Sequence, residues 1–500
     1  DGSADNPFLV ATADHLNNVR NHLDQHFRQI ENLDLSFYRS DSGWVPIGTS
    51  AAPFTGTYNG DGHVISDLFI DQVGVWNVRT PAGLFGFAGV GAEICNLTLE
   101  NVDVTGCYYV GSLVGNHSGE ISNVSSSGIV IGEWDTGGLV GLNCGSMIGA
   151  SFEGTVTGTD EIENGEWTGG LVGYNTGGTI TKCQANATVV SDGDSVGGLA
   201  GESLIDAVIT ESCALGTVSA DTYVGGLVGS NGAEITACYS TCTVNGRSSV
   251  GGLAGGNSGP ITDSYAVGAV EGTNDEGGLV GSSTDEIITH CYWDKETSDQ
   301  ITSACGEGKT TAEMKQQATF VDWDFTAIWD MNTVDNNGYP FLRWQVDVPP
   351  VLSGTGVDSV TETTSVLNFT SDRSGIYYYL VYTATEDAPG AVAIKAQGAA
   401  AAKGTGAAAA AANAVGITGL TASTEYNAYI IVEYTEWNTS AVAAISFTTE
   451  AELSEFAGGD GSVGNPYLVA DADQLNNVRN HLDKYFLQTQ DIDLNGYRAG

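Results

Sequence analysis

The sequence has very little positive charge. Its 500 residues include 16 Lys and Arg against 61 Asp and Glu, which gives a formal net charge of −45. Such a chain cannot neutralise a phosphate backbone, so a basic nucleic-acid binder is excluded and binding to an anionic lipid surface is disfavoured. No stretch approaches the roughly 18 consecutive apolar residues of a transmembrane helix. We therefore expect no nucleic-acid partner and no membrane insertion in this segment.

Two further features are absent at the start of the chain: an initial Met and a signal peptide. These absences favour a processed chain or a window from a longer one. The nine cysteines are an odd number spread through the first 305 residues, so they do not resemble the disulfide framework of a small secreted domain. Six Asn-x-Ser/Thr sequons are candidate glycosylation sites and weak support for an extracellular location. They are Asn96, Asn116, Asn123, Asn186, Asn368 and Asn438.

Glycine, by contrast, is abundant, with 68 residues, and much of it belongs to a repeat. A Gly-Gly-Leu-Val-Gly core or a close variant recurs eight times, and its central leucines are 26 to 32 residues apart. Most cores are followed by a polar turn and an Ile-Thr run. The central leucines are Leu84, Leu113, Leu139, Leu171, Leu199, Leu227, Leu253 and Leu279.

Each repeat contains two or three short β-prone runs separated by Gly, Asn and Ser. One such unit cannot bury its apolar face alone, but stacked units bury a continuous core. The helical period of 3.6 is absent from residues 51–292, which excludes the helical repeat families. The sequence therefore predicts an all-β fold with a parallel β-solenoid over 51–292 and the central leucines in one inward column.

The repeated cores resemble the GLUG motif of large bacterial and archaeal surface proteins. This resemblance covers about residues 83–292, and residues 293–348 resemble the segment that usually ends such arrays. It implies a β-solenoid, an extracellular location and a C-terminal cap over 293–348. It implies no activity, because the motif also occurs as a non-catalytic part of some surface peptidases.

Residues 1–50 are predicted to form an N-terminal cap with a short helix. Thr12 is a suitable N-cap, and Leu16, Val19, Leu23 and Phe27 are expected to form one apolar helix face. This helix would cover the open end of the solenoid, where the first strands would otherwise expose an edge.

Residues 349–450 have a different composition and resemble a fibronectin type III sandwich. The resemblance rests on the spacing of Leu420 and Tyr426, on strand-like runs such as 375–382, and on a final strand near Phe447. The Ala-rich insert at 399–414 is unusual for that fold, and a short helix and a mobile loop are both compatible with its composition.

The C-terminal segment repeats the N-terminal one. Residues 460–500 match residues 1–41 at 25 of 41 positions with an offset of 459. Residues 451–500 are therefore interpreted as a linker and the start of the next module, either in a continuous chain of modules or as a segment, 460–500, that separate subunits donate to a neighbour. The module of cap, solenoid and sandwich has a period of 459 residues.

Histidine and cysteine offer two candidate metal sites, both interpreted as structural. His22 and His26 have the i, i+4 spacing of helical ligands, but the second copy carries His481 and Tyr485 there. Cysteines 183, 213, 238 and 291 are placed in one column with Ser264, which shows that the column does not require sulfur. We therefore expect no metal site, no cofactor and no catalytic residue.

Carboxylates are numerous, and paired carboxylates catalyse glycoside hydrolysis. However, the only cations between residues 51 and 292 are Arg79, Lys182 and Arg247, too few for a lyase cleft that binds a polyanion. Asp-rich turns at 59–62 and 335–338 could bind Ca²⁺ through hard oxygen ligands, but neither is an EF-hand loop, and turns favour these residues for their local hydrogen bonds.

Three functions remain open on the sequence. The first is a structural, non-enzymatic repeat module of an extracellular fibre, sheath or surface layer of a prokaryote, with copies of itself as the main partner. The second is the stalk of a large cell-surface adhesin. The third is a solenoid that binds or hydrolyses glycans. Glycans and other surface proteins are the remaining candidate partners.

Overall fold

The chain was analysed in a computed structural model. It describes residues 1–72, 80–159, 167–204, 206–284, 287–333, 335–346, 350–373, 375–386, 388–435, 438–450 and 455–495. By their contacts these residues fall into two compact units, Asp1–Val346 and Asp347–Gly500.

The first unit is a parallel β-solenoid whose coils contribute to three sheets, here called sheets 1, 2 and 3. Sheet 1 has 23 strands, and sheets 2 and 3 have eight strands each. All the pairings in these three sheets are parallel, and residues of successive coils lie opposite one another. The predicted parallel β-solenoid is therefore confirmed.

The strand bounds of the solenoid follow the chain from coil to coil. Sheet 1 contains Phe8–Val10, His26–Gln29, Leu33–Asp34, Thr57–Asn59, Val64–Ser66, Phe69–Asp71, Glu93–Thr105, Glu120–Gly132, Ser146–Ile148, Ser151–Gly158, Thr179–Thr181, Gln184–Ser191, Val208–Thr210, Cys213–Ser219, Glu234–Thr236, Tyr239–Ser240, Thr243–Asn245, Ile261–Thr262, Tyr265–Ala266, Val270–Glu271, Ile288–Thr289, Tyr292–Asp294 and Glu307–Lys309. Sheet 2 contains Pro81–Ala82, Tyr108–Val110, Trp134–Gly137, Thr168–Gly169, Asp194–Gly197, Thr222–Gly225, Ser248–Gly251 and Asn274–Gly277. Sheet 3 contains Phe85–Ala88, Val114–His117, Val140–Asn143, Val172–Asn175, Ala200–Ser203, Val228–Asn231, Ala254–Asn257 and Val280–Ser283.

The central leucines of the repeated cores form the middle of the solenoid. All eight are fully buried, and from Leu113 onward the backbone N–H of each donates to the carbonyl oxygen of the next. Burying a leucine side chain is worth about 1.5–3 kcal/mol. The repeat thus stabilises the solenoid at the same point in every coil, as predicted.

The N-terminal cap differs from the prediction in two ways. Its helix spans only Ala13–Asn18, with Thr12 as the expected N-cap, and a 3₁₀ turn follows at Val19–Asn21. Phe27 lies on a strand, so the predicted four-residue helix face is wrong. The boundary at residue 50 does not separate cap from solenoid either, because parallel pairing already begins at Phe8–Val10.

The segment at 293–348 does more than cover the far end of the solenoid. Its first part extends sheet 1, since Tyr292–Asp294 pairs in parallel with Glu307–Lys309. The later part packs along the side of sheet 1, where Trp344 Nε1 donates to Glu211 O at 2.8 Å. Stacked tyrosines of successive coils, including Tyr239 and Tyr265, provide the apolar surface that it covers. An end cap alone is therefore an incomplete description of this segment.

Short elements complete that segment. They are the helices Lys295–Ser298 and Thr311–Met314, the 3₁₀ turns Gln317–Thr319, Asp335–Gly338 and Arg343–Val346, and the two-stranded sheet of Trp329–Asp330 and Phe341–Leu342. A further 3₁₀ turn, Ser36–Tyr38, belongs to the N-terminal cap. Thr310 and Glu313 form a capping box at the start of the second helix.

The second unit contains two antiparallel sheets. One contains Leu352–Asp358, Thr364–Ser371 and Ala412–Thr418, and the other contains Gly375–Thr383, Ala402–Ala408, Glu425–Thr435, Asn438–Thr439 and Ala443–Thr448, with a helix at Ala391–Lys395. Tyr426 accepts a hydrogen bond from Thr421 N at 3.0 Å through its hydroxyl. Membership of the fibronectin type III family stays a prediction. The Ala-rich insert forms strands, so neither the helix nor the mobile loop is right.

The second unit also contains a second cap. Residues 467–494, here the second cap, form the strands Tyr467–Val469 and Phe486–Gln488, the helix Ala472–Asn477 and the 3₁₀ turn Val478–Asn480. In the first cap, residues 8–35, Phe8 pairs with Phe27; in the second cap Tyr467 pairs with Phe486. The repeat in sequence is thus a repeat in structure with the same register.

Candidate functional site

The outward side chains of sheets 2 and 3 meet along one line of the solenoid, here called the seam. Sheet 2 contributes one column, which runs Tyr109, Asp135, Trp167, Ser195, Tyr223, Ser249 and Asp275. Sheet 3 contributes the other, which runs Phe87, Asn116, Leu142, Tyr174, Glu202, Ser230, Gly256 and Ser282. Each residue of the first column faces the residue of the second column in the following coil. Ser249 and Ser282, for example, are joined by a 3.1 Å hydrogen bond.

The last glycine of each repeated core makes the seam possible. A Cβ on Gly173 would lie 2.4 Å from the carbonyl carbon of Asp135, and a Cβ on Gly201 would lie 2.5 Å from Thr168 N. Only glycine lets the two backbones approach this closely. The sequence repeat thus fixes the seam as well as the core.

Four side chains form a compact group within the seam. Asp135 faces Tyr174, Trp167 faces Glu202, and neighbouring coils of a sheet are ~4.8 Å apart. The rings of Trp167 and Tyr174 are stacked with centroids 4.3 Å apart. Both rings are half-buried, as is Glu202, so the group reaches the solvent.

Asp135 is an unusual member of this group, because it is only 3% exposed. Its Oδ1 has no hydrogen-bond partner among the described residues, and neither do Trp134 Nε1 and Thr136 Oγ1 beside it. Burial, reinforced by the negative charge of Glu202, raises the pKa of Asp135 to about 8. Burial also raises the pKa of Glu202 and of Tyr174. Such perturbed carboxyl groups are concentrated at functional sites in proteins.

A ladder of buried polar side chains follows sheet 3 on its inward side. His117 Nδ1 donates to Asn143 Oδ1 at 2.8 Å, Asn143 Nδ2 donates to Asn175 Oδ1 at 2.8 Å, and Asn175 Nδ2 donates to Ser203 Oγ at 3.1 Å. Burial lowers the pKa of His117 to about 4, so it is neutral near pH 7. The ladder pairs the amide groups of successive coils and holds the coils in register, which is a structural role, although His117 Nε2 at its end has no hydrogen-bond partner among the described residues.

The predicted cysteine column needs one correction. The register aligns Cys183, Ser212, Cys238, Ser264 and Cys291, whereas Cys213 lies opposite Gln184 and Tyr239 in the next column. A serine therefore separates successive cysteines, which places their sulfurs two coils, roughly 10 Å, apart. Burial raises the pKa of the Cys183 thiol to about 12. These thiols are poor nucleophiles for that reason.

The two histidines singled out in the sequence are not helical neighbours. His22 ends the 3₁₀ turn with its ring centroid 5.5 Å from that of Phe8, and His26 begins a strand. Within the described residues no group of three or more His, Cys, Asp or Glu side chains is placed to hold a metal ion. None of the described helices has the length and apolar character needed to cross a membrane.

The Asp-rich turns that could bind Ca²⁺ have structural hydrogen bonds. Asn59 Oδ1 accepts from Asp61 N at 2.8 Å, and Asn336 Nδ2 donates to the Tyr265 hydroxyl at 2.7 Å. These bonds hold the turns and join 335–338 to sheet 1. Calcium binding at either turn stays a prediction.

The candidate glycosylation sites differ in their surroundings. Asn96 Nδ2 donates to Asn59 Oδ1 and Asn123 Nδ2 donates to Asn96 Oδ1, so these amides form a ladder of their own. Asn186 is exposed, Asn116 and Asn368 are half-buried, and the side chain of Asn438 lies outside the described residues. Glycosylation at all six stays a prediction.

The second cap exposes the apolar face that the first cap buries. Leu16 and Leu35 of the first cap are fully buried, while their equivalents Leu475 and Leu494 are 39% and 48% exposed. An open cavity in the second cap lies between these two leucines and Arg479.

In the first cap, residues 44–46 cover the surface that is equivalent to this cavity of the second cap. The Arg20 guanidinium lies 5.2 Å from the ring centroid of Trp44 and donates to Val45 O at 2.9 Å. Arg479 is the equivalent of Arg20 and is exposed. Among the described residues, its side chain donates only a local hydrogen bond, to Asn476 O. The second cap therefore presents a surface shaped to receive a segment like 44–46.

The sequence is similar to segments of several much longer proteins. A family model described as the GLUG motif matches residues 166–190. A putative Gly-rich membrane protein of Evansella cellulosilytica is 39% identical over 132 residues, which are 25% of this chain and 15% of that protein. Halomucin of Haloquadratum walsbyi is 38% identical over 149 residues, 28% of this chain and 2% of that protein.

Proteases are also among the relatives. An immunoglobulin A1 protease of Streptococcus sanguinis is 35% identical over 167 residues, 32% of this chain and 9% of the protease. A solved structure of an IgA1 protease is 19% identical with a TM-score of 0.41, and the match covers 63% of this chain and 24% of that one. The matched segments thus represent less than a sixth of each of the three curated relatives.

Proposed function

We propose that this chain, whose first unit is a β-solenoid and whose residues 166–190 match the GLUG motif, is a structural repeat module of an extracellular polymer, such as a fibre, sheath or surface layer of a prokaryote. Successive modules are joined through the chain itself, from sandwich to next cap. The relatives include proteins named as membrane protein and halomucin, which supports a role at the cell surface.

The observation that carries this proposal is the second cap. It has the strand register, helix and 3₁₀ turn of the first cap, yet it exposes Leu475 and Leu494 where the first cap buries Leu16 and Leu35. Exposing large apolar side chains on a folded surface is unfavourable, and such a surface marks an interaction site. A further solenoid beginning on the second cap would bury these side chains as the first solenoid buries theirs.

The proposal includes no catalysis by this module. The buried cysteine thiols are poor nucleophiles, and the similarity to IgA1 proteases is confined to a small share of those proteins. A stalk of a large adhesin is the second candidate, favoured by the great length of the relatives. In the polymer, the modules contact each other laterally. In the adhesin stalk, they only carry a separate binding domain.

Extending the chain tests the proposed continuation. Gly500 corresponds to Asp41, so appending a copy of residues 42–346 after Gly500 completes a second solenoid in frame. We expect backbone amides of Tyr467–Val469 and Phe486–Gln488 to exchange hydrogen at least about tenfold more slowly in the extended chain, because burial suppresses local opening. Hydrogen-exchange mass spectrometry measures this.

A matched control appends residues 350–450 in place of 42–346. This extension adds a folded sandwich without the segment equivalent to 44–46, so exchange in the second cap should stay as in the 500-residue chain. Unchanged exchange with the solenoid extension would contradict the proposal.

A further inference from the structure

The fold of the solenoid does not require the group of Asp135, Trp167, Tyr174 and Glu202. The same positions in the next coils are occupied by Ser195, Ser230, Tyr223 and Gly256, so the fold does not require aromatic or acidic residues in the seam. Burying Asp135 without a partner for its Oδ1 is unfavourable. This cost in folding free energy is confined to one part of a repeat. Because the fold does not require it, we attribute it to the binding of a ligand.

The exposed parts of the group determine the chemistry of that ligand. Stacked Trp and Tyr rings offer an apolar surface with polar edges. The polar group that reaches the solvent is the half-buried carboxyl group of Glu202, one coil beyond Tyr174, whereas Asp135 Oδ1 is unpartnered and buried. Binding sites for small ligands combine these elements, aromatic side chains for contact area and a few polar groups for orientation.

The negative charge of the chain limits which ligands can bind to this group. The chain has a net charge of −45 and the carboxyl group of Glu202 lies in the group itself, so an anionic ligand is repelled. A metal ion is disfavoured as well, because no group of three or more ligating side chains exists in the described part of the chain. A neutral sugar has apolar C–H faces that stack on rings and hydroxyl groups that hydrogen bond to carboxyl groups.

We propose that the seam at Asp135, Trp167, Tyr174 and Glu202 binds a neutral glycan. The stacked rings contact the C–H face of a sugar, and the carboxyl group of Glu202 hydrogen bonds to its hydroxyls. This inference stands apart from the tandem arrangement of modules, since it needs only the first unit.

A printed array of neutral, sialylated and sulfated glycans, probed with the fluorescently labelled 500-residue chain, tests the proposal. We expect neutral glycans to bind and acidic ones to be excluded. Titration with the best neutral oligosaccharide should show that Trp167→Ala lowers the affinity at least about tenfold, equivalent to about 1.4 kcal/mol of lost stacking. Glu202→Gln should weaken binding as well, through loss of a charged acceptor.

Tyr223→Ala is the matched control. Tyr223 occupies the column of Trp167 two coils away and is 41% exposed, but it faces Gly256 and no carboxyl group. Its removal should leave the affinity unchanged. Trp167→Phe keeps an aromatic ring and should retain most of the binding, which separates a lost contact from a misfolded solenoid.

Three results would overturn the proposal. The first is an array with no neutral glycan above background. The second is binding that Trp167→Ala leaves unchanged while circular dichroism shows an intact fold. The third is saturable binding of Ca²⁺ or choline at the group, measured by calorimetry and lost in Glu202→Gln, without any binding of sugars.

Discussion

Leu16→Ala is expected to lower the free energy of unfolding of the first unit by about 2–5 kcal/mol, the usual cost of removing a fully buried leucine. Leu475→Ala, the same substitution 459 residues later, is expected to change the free energy of unfolding of the second unit by less than about 0.5 kcal/mol. Leu16 is fully buried and Leu475 is 39% exposed, although their local sequences are nearly identical. Denaturant unfolding followed by hydrogen-exchange mass spectrometry reports on both units separately.

Each substitution acts as the control for the other, because both remove the same side chain from the same helix position. In the chain extended by residues 42–346, Leu475→Ala should become as costly as Leu16→Ala. Equal costs in the 500-residue chain would contradict the conclusion that the second cap lacks its covering segment.

Asp135→Asn is expected to make the first unit more stable above neutral pH, by several kcal/mol at pH 8 and higher. The pKa of Asp135 is about 8 in the folded chain and about 3.9 in an unfolded one. The folded state therefore retains a proton that the unfolded state loses, and the wild-type chain loses stability as pH rises from about 4 to about 8. The asparagine side chain does not titrate, so the variant does not lose this stability as pH rises.

The measured quantity is the difference in unfolding free energy between variant and wild type at several pH values. It should grow between about pH 4 and pH 8 and then become constant. Asp275→Asn is the control, since Asp275 occupies the same column of the seam but is exposed. A difference independent of pH would show that Asp135 is ionised at neutral pH in the folded chain.

The solenoid could be predicted from the sequence because its main signal is local and repeated. The leucine of each core and its flanking glycines recur in every coil, and stacking then places them in one column. The cysteine column was misaligned at Cys213 because turn lengths vary between coils. When the coils are aligned on the Ile-Thr run, Ile209 corresponds to Ile180 and Ser212 corresponds to Cys183. This alignment is the register that the structure shows.

The seam could not be predicted from the sequence. Asp135 and Tyr174 face each other because sheet 3 is offset from sheet 2 by one coil, and that offset follows from how closely the glycine backbones pack. The cap was misjudged for a related reason. In the sequence, apolar residues three and four positions apart continue beyond Asn18, which predicts a longer helix. In the structure the helix ends at Asn18, and Phe27 lies on a strand that pairs in parallel with Phe8–Val10.

We propose that modules follow one another in a continuous chain, and the size of the native chain tests this arrangement directly. Native surface material should be boiled in denaturant and reductant, separated by electrophoresis and probed with an antibody against residues 310–346. If each second cap continues into a further solenoid, as proposed, the antibody should detect species far larger than a 500-residue chain. A single band at the mass of 500 residues would contradict it.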